Sequence, residues 1–343
     1  MKNPNVTPAF SRRRALGLLS LATAAAGLGR APRAGAANDP SAPSPAATPG
    51  RNPGWYRFTV GNLRLTVLND GHYAFQPVQP FWAPEGSPEE VKATLERNFL
   101  PSDRLKVSFN ALLVDNGKEV LLCDSGCGKL LAPTTGRLRA SLAEAGYAPD
   151  DVTAVFLSHA HVDHFGGLLA AEGTPVFANA KHLVSQPELE FWMGPHPDLS
   201  KANLDDATRA SFVTGAQRMF STLGKRFEPI PEGASLIDGV TTVAAPGHTP
   251  GHRMVQVGSG PDRLLHTVDL AHNQALMFEH PDWTMAADTD PGLARETRLA
   301  VLNAAATERT RLLGYHLPFP ALGHVRKREE GFEWVPEPWG EGV

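Results

Sequence analysis

The 343 residues carry a formal net charge of −4 and are 42% hydrophobic and 20% charged, ordinary values for a chain that buries a sizeable core. The slightly acidic balance argues against a nucleic-acid partner, and two cysteines are too few for a disulfide framework. With 32 glycines and 30 prolines, well above the roughly 12% of an average chain, turns and long loops are expected rather than a helical bundle.

At the start, Ser11-Arg12-Arg13-Arg14, an apolar run over 15–28 and the small residues Ala34-Gly35-Ala36 follow one another in the order of an export signal. The paired arginines resemble a twin-arginine signal, which would send the protein to the periplasm or the medium. The apolar run is too short for a stable membrane anchor. Residues 1–36 are therefore read as the signal, 37–54 as a flexible Pro/Ser/Ala linker, and 55–343 as the folded domain.

Within that domain, 56–60 and 63–68 are expected strands about a Gly61-Asn62 turn. Residues 109–114 and 119–123 form a second pair about Asn116-Gly117. Helical spacing covers 88–99 and 137–146. The β-branched run 152–157 reads as a buried strand leading into Ser158-His159, and helix-compatible sequence resumes after Gly166-Gly167. Helices are expected over 204–223 and 292–312, with strands over 236–245, 252–257 and 263–268 between them. Strands, helix, strands, helix, twice over, suit two mixed sheets with helices outside, although periodicity alone does not select that fold.

Chemistry concentrates in His159-Ala160-His161-Val162-Asp163-His164, four metal-ligand types within six residues just past an expected strand end. His159 and His161 are two apart, so on an extended loop they point the same way, while Asp163 and His164 diverge toward a neighbouring point. Imidazole with carboxylate suits zinc and similar ions. His248 lies in the turn Pro246-Gly247-His248-Thr249-Pro250-Gly251-His252, Asp269 follows an expected strand, and His316 follows the last expected helix.

The order Asp124, then His159-x-His161-x-Asp163-His164, then His248, Asp269 and His316 resembles the five motifs of the metallo-β-lactamase superfamily. Within it, the stretch 266–272, the helix 292–312 and Leu317-Pro318-Phe319-Pro320-Ala321-Leu322-Gly323-His324 resemble the methyl parathion hydrolase branch. The N-acyl-homoserine lactone lactonases share the same ligand set. The resemblance implies an α+β fold, an αββα sandwich with the site at one edge of two mixed sheets. It implies two divalent metal ions, zinc first, with Mn, Fe or Co also accepted by such donors. One ion would take His159, His161 and His248, the other Asp163, His164 and His316, with Asp269 bridging. Asp124 would orient a ligand histidine rather than bind metal.

Two such ions share a water and make it hydroxide near neutral pH, which would attack an ester, lactone or phosphotriester of a small-molecule substrate. Asp163 and Asp269 are the catalytic candidates, Asp163 as a proton relay. Phe81-Trp82, Phe191, Trp192 and His272 are candidates for the substrate pocket. The resemblance also leaves room for a homodimer.

The alternatives are an N-acyl-homoserine lactone lactonase or an iron-dependent redox member of the same fold. β-Lactam cleavage ranks low, because neither Cys123 nor Cys127 stands where the common dinuclear β-lactamases place a cysteine ligand. The two cysteines flank Asp124 on extended chain and are read as unpaired thiols.

Overall fold

The computed structural model describes residues 52–340. The expected export signal (1–36) and most of the expected linker (37–54) lie outside the described residues. The first strand, β1 (Trp55–Val60), begins where order was expected. It pairs with β2 (Leu63–Phe75), which runs seven residues beyond expectation through a bulge at 69–71. Then follow α1 (Pro88–Arg97), β3 (Leu105–Asp115), β4 (Val120–Cys123), α2 (Leu138–Glu144), β5 (Ala154–Leu157), α3 (Val162–Phe165), β6 (Lys181–Ser185), α4 (Gln186–Met193), α5 (Asp206–Leu223) and β7 (Phe227–Ile230). The second half comprises β8 (Ser235–Ile237), β9 (Val240–Ala244), β10 (Arg253–Val257), β11 (Leu264–Val268), α6 (Leu276–Glu279), α7 (Pro291–Glu308), β12 (Arg311–Gly314), β13 (Leu322–Lys327) and β14 (Phe332–Pro336).

Two seven-stranded sheets result, one ordered β1-β2-β3-β4-β5-β6-β7 and the other β14-β13-β12-β11-β10-β9-β8. Both are mixed. From β4 to β7 the first sheet is parallel, and in the second only β11 and β12 are. This is the α+β sandwich that the resemblance implies. The β5 strand is wholly buried, as a parallel strand covered on both faces must be.

Three expectations need correction. The single strand over 236–245 is a hairpin, β8–β9, turning at Asp238-Gly239, where Gly239 has φ +81°; an Asp-Gly pair between apolar residues is itself a hairpin signal. The helix over 292–312 stops at Glu308, where Arg309 takes a left-handed conformation. Residues 311–314 instead form β12, held parallel to β11, so His316 follows a strand and not a helix. Third, no helix lies between Gly166-Gly167 and β6: the one-turn helix α3 precedes them, with His161 at its N-terminal boundary.

Candidate metal centre

Every donor sits just beyond a strand or at a turn. His159, His161, Asp163 and His164 follow β5 in the first sheet. From the second sheet, His248 lies in the β9–β10 turn, Asp269 directly follows β11, and His316 lies two residues past β12. Val268, immediately before Asp269, has φ +49°. Such a conformation is strained for a β-branched residue, at a cost of about 1–3 kcal/mol. It kinks the chain where β11 gives way to the site. The ends of β5, β11 and β12 and the β9–β10 turn meet at one place, so that His159 and His316, far apart in sequence, both reach Asp269.

The donors fall into two overlapping groups. His159 Nε2 stands 3.2 Å from His161 Nδ1, which stands 2.9 Å from His248 Nε2. In the second group, Asp163 Oδ2 lies 3.4 Å from both His164 Nε2 and His316 Nε2. Asp269 belongs to both: its Oδ1 is 3.3 Å from His164 Nε2, and its Oδ2 is 3.0 Å from His316 Nε2 and 3.2 Å from His248 Nε2. Donor atoms around one tetrahedral zinc, bonded at about 2.0–2.1 Å, stand about 3.3 Å apart, so the spacing fits.

The hydrogen bonds behind the rings make the case stronger. His248 Nδ1 donates to Asp288 Oδ1 at 2.7 Å, His164 Nδ1 to Asp124 Oδ2 at 2.9 Å, and His316 Nδ1 to the carbonyl of Ser108 at 3.1 Å. His159 Nδ1 faces Ser158 Oγ, whose hydroxyl donates to Asp124 Oδ2 and therefore accepts from the ring. With those nitrogens protonated, each ring in its neutral, ligand form presents an Nε2 lone pair toward the others and the Asp269 carboxylate in a buried space. One proton on His161 Nδ1 would satisfy one such pairing and leave the others opposed, and His164 Nε2 and Asp269 Oδ1 have no hydrogen-bond partner. A cation in each group satisfies all of them.

Charge points the same way. Asp124, Asp163, Asp269 and Asp288 gather here, and among the described residues Arg298, 3.9 Å from Asp288, is the one Lys or Arg within ion-pair reach. Burial pushes His159 and His161 well below the ordinary imidazole range, keeping them in the neutral ligand form. Burial also acts to lower His248, but Asp269 and Asp288 outweigh it and raise that ring to about 9. Asp269 is buried too, yet the imidazoles around it, His164 foremost, hold its carboxyl well below the usual range. The field at the centre is one that calls for positive charge.

The remaining candidates are placed as follows. Asp124 touches His164 directly and His159 through Ser158. His272 is buried between His248 and His316, its Nε2 3.1 Å from Asp269 Oδ2. Trp192 is fully buried behind His161, ring centroids 6.0 Å apart, so it packs the wall of the site rather than an open face. Phe191 is half-buried against Trp192. Trp82 lies 5.5 Å from His272 and continues outward through half-buried Phe81, Phe75 and Tyr73. Cys123 and Cys127 are buried free thiols.

Several residues that matter here went unflagged in the sequence. Asp288 lies in an Ala-Ala-Asp-Thr-Asp stretch with no motif about it. Phe212 of α5 reaches within 5.2 Å of His161. Tyr315 stacks on His164 at 4.1 Å and donates its hydroxyl to the Asp163 carbonyl. Glu188 of α4 is completely buried; burial raises its carboxyl above the ordinary range while Thr249, Ala160, Trp192 and Gly251 donate to it.

Comparison with known proteins agrees with this architecture. The sequence profile of the metallo-beta-lactamase superfamily matches residues 107–316. A solved structure of AidC, a dizinc quorum-quenching lactonase in complex with a product, superposes with a TM-score of 0.81 at 32% identity, over 84% of this chain and 99% of that one. The hydrolase AbOPH superposes with a TM-score of 0.77 at 26% identity, over 85% of this chain and all of that one. The N-acyl homoserine lactonase AttM of Agrobacterium fabrum is 31% identical over 138 residues, 37% of this chain. That match spans 44% of the AttM chain. A family profile that covers most of the described domain, on a sandwich with this donor set at its edge, shows that the chain belongs to the metallo-beta-lactamase superfamily.

Proposed function

We propose that the chain is a dinuclear metal-dependent hydrolase that opens lactone rings. What carries the reading is the convergence of five histidines and Asp163, from both sheets, about the single carboxylate of Asp269. The likeness to AidC and AttM favours a lactone as substrate. The phosphotriester reading of the methyl parathion hydrolase branch gains no comparable support and ranks second.

Two divalent ions, zinc by analogy with AidC, would supply an activated water and a Lewis acid for the acyl oxygen. His159, His161 and His248 would hold one, Asp163, His164 and His316 the other, and Asp269 both. Asp163 is the most exposed donor, with 17% of its side chain accessible, and so sits where it meets the substrate. There it takes a proton as water attacks and returns it to the departing ring oxygen. Trp82, Phe81 and Phe75 form an aromatic wall beside His272 suited to an acyl chain. Export to the periplasm or medium through a signal over residues 1–36 belongs to the same reading.

The test is metal content per chain, paired with hydrolysis of an N-acyl-homoserine lactone, an aryl ester and a paraoxon-type phosphotriester. About two ions, loss of activity on chelation and preference for the lactone are expected. His161→Ala or Asp269→Ala should yield folded, metal-poor protein with turnover reduced by more than the roughly 100-fold typical of losing an orienting partner. Full activity in either variant, or one iron per chain without hydrolysis, would overturn the assignment.

A further inference from the structure

The Glu188 carboxylate has no access to solvent and does not touch the metal donors, yet three of its four hydrogen bonds run to the two loops that carry three of them. Its Oε1 accepts from the backbone N–H of Ala160 at 2.8 Å and from Trp192 Nε1 at 2.6 Å. Its Oε2 accepts from Thr249 Oγ1 at 2.7 Å and from the Gly251 N–H at 3.0 Å. Ala160 lies between His159 and His161, and Thr249 follows His248. One rigid group is therefore fastened beside all three imidazoles of the first donor set, joining loops whose His161 and His248 stand 87 residues apart in sequence.

The clamp is tightened at Gly251. Its carbonyl accepts from Ser185 Oγ, while its N–H donates to Glu188. A Cβ on Gly251 would fall 2.2 Å from the Glu188 nitrogen and 2.5 Å from its Cα, so the first turn of α4 presses directly on the β9–β10 turn. Burying a carboxylate is costly even with its lone pairs filled, and an apolar side chain of similar size would leave four buried donors without an acceptor. A buried acid here is explained by what its geometry specifies.

We propose that Glu188 is a positioning residue that sets the spacing of His159, His161 and His248, and thereby the affinity of the first metal ion over the second. Trp192, which packs behind His161 and donates to the same oxygen, belongs to the same device. The proposal rests on the dinuclear reading of the site.

The experiment uses the full chain loaded with zinc, then dialysed against graded chelator, with metal content read per chain and the cobalt-substituted form read by visible absorption. Glu188→Gln keeps the shape but turns an NH2 group toward two donors. It should fall from about two ions to about one at chelator levels that leave the wild type full. The affinity of the ion lost should drop by about 10- to 100-fold. Its cobalt spectrum should match that of His161→Ala and not that of His316→Ala. Thr249→Val, which removes one donor without adding a clash, should show a smaller loss of the same ion, and it decides the matter if Glu188→Gln does not fold. A purely structural carboxylate would instead lower the melting temperature and leave the order of metal loss unchanged. Two ions held with wild-type affinity in the folded variants would overturn the proposal alone. A wild-type chain that never holds two ions would overturn the dinuclear reading, and this proposal with it.

Discussion

Four of the five candidate ligand histidines have their far nitrogens already committed, while His161 Nε2 is buried without a partner. Asp288, Asp124, Ser158 and the Ser108 carbonyl each hold one ring in a fixed tautomer, so the lone pairs at the centre are set before any ion arrives. His248 depends on Asp288, which Arg298 anchors in turn: the guanidinium is buried and donates to the carbonyls of Leu270, Pro281 and Trp283, spanning the loop that leads to Asp288. Asp288→Ala should weaken metal binding by about 10- to 100-fold while leaving the chain folded. Competition with a chromogenic chelator measures this, and unchanged affinity would show that the Asp288 bond does not orient His248.

Strand ends and helix caps decide where these residues stand. Helix α7 starts at the Asp290 cap, whose carboxylate accepts from the Leu293 N–H and pairs with Lys201, while the Asp290 N–H donates to the carbonyl of Gly247, next to His248. The Lys201 bond, then the Leu293 N–H, hold the Asp290 carboxyl below its usual value of 3.8 against a smaller opposing push from burial. A carboxyl lowered in the folded state adds stability above its unfolded pKa and loses it as pH falls through the folded value. Asp290→Ala should therefore cost about 1 kcal/mol at pH 7, and the gap to wild type should narrow below about pH 4. Urea unfolding midpoints across that range test it; a gap that widens in acid would contradict the assignment.

At the scale of the whole domain, the first sheet supplies His159, His161, Asp163 and His164, and the second supplies His248, Asp269 and His316. Ions held between them would tie the sheets together and bind only the folded chain, and so would add to stability by mass action. At a free metal concentration 1,000 times Kd that amounts to about 4 kcal/mol, or roughly 10 °C in melting temperature. Chelation should lower the melting transition by that order, and readdition of zinc should restore it. A melting temperature indifferent to chelator would mean that the donors do not bridge the sheets through metal.

The donor residues were legible in the sequence because ligand chemistry is local: three histidines and an aspartate within six residues, just past a β-branched run, have few other uses. The sandwich was legible through the order of the motifs, and β1, β3, β4, β5, β10 and β11 through period and turn residues. The end of α7 was not, since helical spacing continues through Leu312 and only pairing with β11 makes 311–314 a strand. Asp288, Phe212 and Glu188 likewise look ordinary in the chain. Their roles come from contacts across 28 residues or more, such as Ala160 to Glu188 and His248 to Asp288. Local pattern determined which atoms can bind metal. Long-range packing decided which of them meet, which tautomers they hold, and which buried carboxylates keep them there, because those are properties of neighbours in space that no run of residues contains.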